Sequence, residues 1–130
     1  MKMILAVALG SATGGVARFL LSAWLEQRTA TSFPWPTLVV NITGSLLLGF
    51  LATWTFETAG VSAELRALLT TGLCGGYTTF STFSLETFAL AEEGQWSRAG
   101  AYIALSVIIS IAAAATGIYG ARHFVDARTP

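Results

Sequence analysis

The sequence predicts an all-α integral membrane protein, one domain over residues 1–130, with four spanning helices of which the third is broken. Three observations carry this. First, 54% of the 130 residues are hydrophobic and 11% are charged, against about 25% charged in an ordinary soluble domain. The mean hydropathy is +0.66, so a globule of this length has too little charge to coat its surface. Second, the charges bracket long uncharged runs: 3–17, 29–56, 67–85 and 99–121. Third, no segment alternates polar and apolar residues as a barrel strand must, which leaves helices as the spanning structure. Since roughly 20 apolar residues cross the hydrocarbon core as a helix, four helices fit, near 3–25, 36–56, 65–90 and 99–124.

In the first helix, Gly10 and Gly14 form a small-xxx-small pair beside Gly15 and Ala17, a pattern that lets helices approach closely. Arg18 lies well inside the span, where a cation costs on the order of 3 kcal/mol or more unless it reaches water or an acceptor. Snorkelling to the interface and a positive vestibule for an anion are both open readings. Lys2 and the apolar run after it resemble a secretory signal, but the helix continues through its glycines and is expected to be retained.

In the second helix, Thr37, Asn41 and Ser45 share one face at i, i+4 and i+8, flanked by Gly44 and Gly49. An asparagine at mid-membrane depth either ties two helices together or turns its two amide hydrogens to a dehydrated anion. The sequon Asn41-Ile42-Thr43 lies inside this helix, beyond reach of glycosylation.

The third helix carries Gly72-Leu73-Cys74-Gly75-Gly76-Tyr77-Thr78-Thr79-Phe80-Ser81-Thr82-Phe83. Gly-Gly followed by Thr-Thr invites a break near Gly75–Thr78, and released carbonyl oxygens are ligands for a hard cation. Phe80 and Phe83 are three residues apart on one face. Packing explains most such pairs, yet the positive ring edge can also face an anion. Glu86 continues that side and either caps a pore mouth or meets Arg18. Cys74 is the sole cysteine, so no intrachain disulfide forms.

In the fourth helix, Tyr102, Ser106 and Ser110 stand at i, i+4 and i+8 on an Ile/Ala/Val background. Serines in membrane helices usually bond their own carbonyls, but three hydroxyls on one face make a line of rotatable donors. If the amino terminus, second connector and carboxyl terminus share a side, Lys2, Arg66, Arg122 and Arg128 face Arg28 and Arg98 across the membrane. That bias is feeble. A cytoplasmic-ended protein and one that inserts both ways are equally compatible with it.

The donors are amides, hydroxyls and aromatic edges, with one intramembrane cation and one intramembrane acid. This inventory suits a small, strongly hydrated anion whose water shell must be replaced. Zero net charge gives no electrostatic footprint for nucleic acid. One histidine, His123, and no Cys/His/carboxylate cluster argue against a metal enzyme. No Ser-His-Asp set or phosphate-binding glycine loop points to another kind.

Over nearly its whole length the chain resembles the Fluc (CrcB) family of fluoride channels. Gly72 to Phe83 matches the pattern G-x-x-G-G-x-T-T-F-S-T-F in full. Thr37, Val40-Asn41, Gly44 and Gly49 match in the second helix, and Gly10, Gly14 and Arg18-Phe19 in the first. Ser11 and Gly15 replace the usual Gly and Ala, and Pro36 stands where Gly is frequent. The resemblance implies a dual-topology antiparallel homodimer in the bacterial inner membrane, passing fluoride passively through two antiparallel pathways and protecting the cell. It implies Phe80 and Phe83 as an aromatic box, with Asn41, Ser81, Thr82, Tyr102, Ser106 and Ser110 along the pathway. Arg18 would make the vestibule positive, with Glu86 at its mouth, and the carbonyls of Gly75 and Thr78 from both subunits would hold a structural sodium ion. The alternative from another mechanism is a small four-helix proton-coupled drug antiporter. That coupler needs an embedded acid, typically in the first helix, where this chain has Arg18. A non-conducting assembly subunit is the third reading.

Overall fold

The computed structural model describes residues 1–29 and 31–127; Arg128 lies outside them. The chain is all helical: α1 (Lys2–Glu26), α2 (Trp35–Glu57), α3 (Ala63–Ala67), a π-helical segment (Leu68–Cys74), α4 (Gly75–Tyr77), α5 (Phe80–Glu92) and α6 (Trp96–Asp126). The segments from α3 to α5 together make the third expected helix. α1, α2 and α6 are each long and apolar enough to cross a membrane. The third unit is interrupted.

Local chemistry sets the ends. Pro36 falls in the first turn of α2, where its missing N–H costs nothing. Ser62 caps α3 by accepting from the Leu65 amide at 3.1 Å. Gly60 and Gly94 have φ of +85° and +74°, in the connectors before α3 and after α5, where a side chain would be strained.

The break differs from the sequence expectation. Gly75 is helical, with φ −66° and ψ −35°, and the chain turns extended only at Thr78 (φ −80°, ψ 161°) and Thr79 (φ −151°, ψ 115°). The interruption is therefore at Thr78–Thr79, at the far end of the expected 75–78 stretch. The glycines serve contact instead. A Cβ on Gly76 would lie 2.5 Å from the Ser11 carbonyl oxygen, and one on Gly72 would lie 2.9 Å from the Gly10 Cα.

These contacts organise the bundle. Gly10 and Gly14 of α1 lie against Leu68 to Tyr77, and Gly49 of α2 lies against Ala114 of α6. α1 runs parallel to the third unit, since Gly10 faces Leu68 and Arg18 reaches Thr78. α2 runs parallel to α6, joined near their starts by Arg98 to Ser32 and near their ends by Arg122 to Glu57. Leu38, Phe83, Leu90, Ala99 and Tyr102 form one buried cluster, and Ala6, Val40, Cys74 and Ala121 are buried elsewhere. Much of the apolar surface faces outward, including Leu9, Phe19, Phe88, Ile108 and Ile111, as a lipid-facing exterior requires.

Candidate functional site

Two cavities flank the break. The first, about 250 Å³, is lined by Asn41, Ser45 and Leu48 of α2, Thr78, Thr79, Phe80 and Phe83 around the break, and Ser106, Val107 and Ser110 of α6. The second, about 310 Å³, includes Arg18, Glu26, Thr37, Thr79, Thr82 and Glu86.

In the first cavity the Ser106 and Ser110 hydroxyl oxygens are buried and, among the described residues, without a hydrogen-bond partner. Hydroxyls on transmembrane helices commonly bond back to a carbonyl one turn earlier, as Thr43, Thr55 and Thr116 do here. Two buried donors left free beside a cavity are poised for something that enters it. Phe83 is 9% exposed and Phe80 is 78% exposed. Their ring centroids lie 5.5 Å apart at 46°, tilted rather than stacked. Phe83 also packs on Tyr102, 5.1 Å away.

Asn41 spans both helices at the break. Its Nδ2 donates to the Thr79 carbonyl at 3.0 Å, and its Oδ1 accepts from the Thr79 amide at 2.8 Å. One Nδ2 hydrogen remains for the cavity it lines.

In the second cavity Arg18 donates through Nη1 to the Thr78 carbonyl at 3.3 Å, so its charge meets the end of the broken helix. Glu86 shares this cavity, but among the described residues no ion pair joins it to Arg18. Its Oε1 accepts from Thr37 at 2.8 Å and its Oε2 from Tyr102 at 2.6 Å. Tyr102 thus points its hydroxyl at Glu86, while the serines one and two turns on face the first cavity. Thr82 lines the second cavity, and Ser81, on the exposed face, shares a hydrogen bond with Thr79 at 3.2 Å.

The profile of the CrcB family (CrcB-like protein, camphor resistance) matches residues 5–118. The chain belongs to the CrcB family. Among relatives, it is 49% identical over 118 residues to the fluoride-specific ion channel FluC of Rhizobium meliloti strain 1021, covering 91% of this chain and 94% of that one. It is 47% identical over 115 residues to fluoride-specific ion channel FluC 1 of Nitrobacter hamburgensis, covering 88% and 91%. The FluC of Geobacter metallireducens is 42% identical over 123 residues, covering 95% and 99%. With its spanning helices this CrcB protein is a multi-pass membrane protein.

Sequence reasoning on this CrcB chain gathered Asn41, Phe80, Ser81, Thr82, Phe83, Tyr102, Ser106 and Ser110; the structure brings Asn41, Phe80, Phe83, Ser106 and Ser110 to one cavity, puts Thr82 in the other, and leaves Ser81 and Tyr102 out of both linings. It placed Arg18 with Glu86, and they share the other. It missed Thr79, which lines both. The only available signal was its place in the Thr-Thr pair after the glycines.

Proposed function

We propose that this CrcB protein is a fluoride-selective channel that lets cytoplasmic fluoride leave passively, lowering its toxicity. The relatives' fluoride-specific names support the substrate. The observation that carries the mechanism is the cavity whose buried Ser106 and Ser110 hydroxyls lack partners beside Asn41, Phe80 and Phe83.

Fluoride holds its water tightly, so it enters only where donors replace that shell. The two serines and the free Asn41 hydrogen supply donors in a space whose wall also includes Leu48, Phe80, Phe83 and Val107. The Phe80 and Phe83 edges add weak positive character without a basic group to trap the ion. Ser81, Thr82 and Tyr102 extend the hydroxyl path towards the Arg18 side, where the guanidinium raises local anion concentration and Glu86 organises Thr37 and Tyr102.

The working unit is an antiparallel homodimer with two pathways. Phe80, largely exposed on one protomer, is suited to closing a pathway against a second copy. The break suits a structural sodium ion. The Thr79 amide goes to Asn41 instead of back to the Gly75 carbonyl, which releases that oxygen from the α-helical pattern. Gly75 and Thr78 carbonyls would be hard donors of the type sodium takes, two from each protomer, with the Thr78 oxygen shared with Arg18 Nη1. When bound, the ion would offset carbonyl dipoles at the centre of the dimer.

Between Lys2 and Glu26, α1 carries Arg18 and no acid, which disfavours proton-coupled cation exchange. Reconstituted liposomes loaded with fluoride and chloride test the proposal. Fluoride leaves down its own gradient, chloride stays, and a proton gradient leaves the rate unchanged. Chloride loss at an equal rate, or efflux that requires a proton gradient, would sink it.

A further inference from the structure

The two cavities meet at a single buried residue, Thr79, and a single side chain holds both its N–H and its C=O. A continuing helix would send the Thr79 amide to the Gly75 carbonyl, one turn back. Here it donates to Asn41 Oδ1 at 2.8 Å, while Asn41 Nδ2 donates to the Thr79 carbonyl at 3.0 Å. The asparagine amide thus pairs with both backbone polar groups of one residue, as a facing strand residue would. Of the side chains, only Asn and Gln carry a carboxamide, with the donor and acceptor geometry of a backbone amide, and Gln is a methylene longer. The Thr79 hydroxyl is held as well: it donates to Thr82 Oγ1 at 2.9 Å and accepts from the Thr82 amide at 3.2 Å, capping α5.

We infer that Asn41 is a positioning residue, whose amide fixes the Thr79 backbone in its extended conformation, and that Thr79 so held is the partition between the donor-lined cavity and the Arg18 cavity. Asn41 then acts on permeation through the backbone of the third unit, in addition to any contact with the ion. The consequence for flux rests on the channel reading above; the clamp itself does not.

Residue-resolved amide hydrogen exchange on the full-length protein, in fluoride-free buffer, tests this alongside fluoride efflux. Asn41→Asp keeps an acceptor but turns a carboxylate oxygen towards the Thr79 carbonyl, and Asn41→Leu keeps the shape but removes both hydrogen bonds. In the native protein the Thr79 amide exchanges as slowly as the Thr82 amide. Each variant speeds Thr79 exchange about tenfold or more, the scale of losing a buried hydrogen bond, leaves the middle of α6 unchanged, and slows efflux. Ser110→Ala, which alters the lining alone, slows efflux without speeding Thr79 exchange. Thr79 exchanging in the native protein as fast as a connector amide overturns the inference, and this reading needs no variant to fold. Native-like Thr79 exchange in both variants, with efflux lost, also overturns it and assigns Asn41 to the ion alone. If the native protein passes no fluoride, the channel reading fails while the exchange data still decide the clamp.

Discussion

Ser106 and Ser110 gain nothing from the fold that holds them. Their buried hydroxyl oxygens lack partners among the described residues, so removing them should cost little stability and much function. Ser106→Ala is expected to leave the thermal midpoint of the purified protein within a few degrees, because about 1 kcal/mol or less is at stake. The same variant should slow fluoride efflux several-fold. A large fall in stability would mean that the hydroxyl is structurally bonded after all. Phe80 offers the complementary case. Phe80→Ile keeps an apolar side chain on an exposed position but removes the ring edge, so flux should be abolished while the elution volume on size-exclusion chromatography matches that of the native protein. Full flux in that variant removes the aromatic role. Most of these residues were legible because i, i+4, i+8 spacing puts polar groups on one helix face whatever that face meets. The outcome for Tyr102 was not legible. Spacing joins it to the serines, but its hydroxyl turns to Glu86, a contact between α5 and α6 that no local pattern encodes.

Seams of small residues assemble the elements. A Cβ at Gly10 would come within 2.8 Å of the Leu73 nitrogen and 2.9 Å of the Gly72 Cα, all backbone that cannot step aside. Gly10→Val should therefore lower the thermal midpoint sharply, by the roughly 1–3 kcal/mol or more typical of overpacking. At Gly100 nothing lies within 4 Å of an added Cβ, so Gly100→Ala should be neutral or stabilising by up to about 1 kcal/mol. Equal behaviour of the two variants would argue against the seam. The first-helix glycines announced this packing in the sequence. The length of each helix was also legible, because charges, prolines and connector glycines mark the ends. The π-helical Leu68–Cys74 segment and the exact site of the break were not. Gly-Gly looks like the weak point, yet both glycines are helical and α1 packs against Gly76, while Asn41, 38 residues before Thr79, fixes the extended residues. Long-range pairing decided a local conformation.

For the whole molecule, composition alone fixed the class: so few charges and so many long apolar runs leave only a membrane as solvent. Orientation was the least legible property, because four cations against two barely bias insertion. The antiparallel homodimer proposed above would resolve that ambiguity by using both orientations. With Cys74 buried, a Thr58→Cys variant carries one accessible thiol, in the connector between α2 and α3. An impermeant thiol reagent should label it from both sides of the membrane in comparable amounts. Labelling from one side only would contradict dual insertion. Passive, selective fluoride permeation is tested most directly by current through a planar bilayer under a fluoride gradient, with chloride and pH equal on both sides. A fluoride channel gives a current that reverses at the fluoride equilibrium potential and ignores an added chloride gradient. Reversal at zero under the fluoride gradient, or a shift that follows chloride or protons, would contradict it.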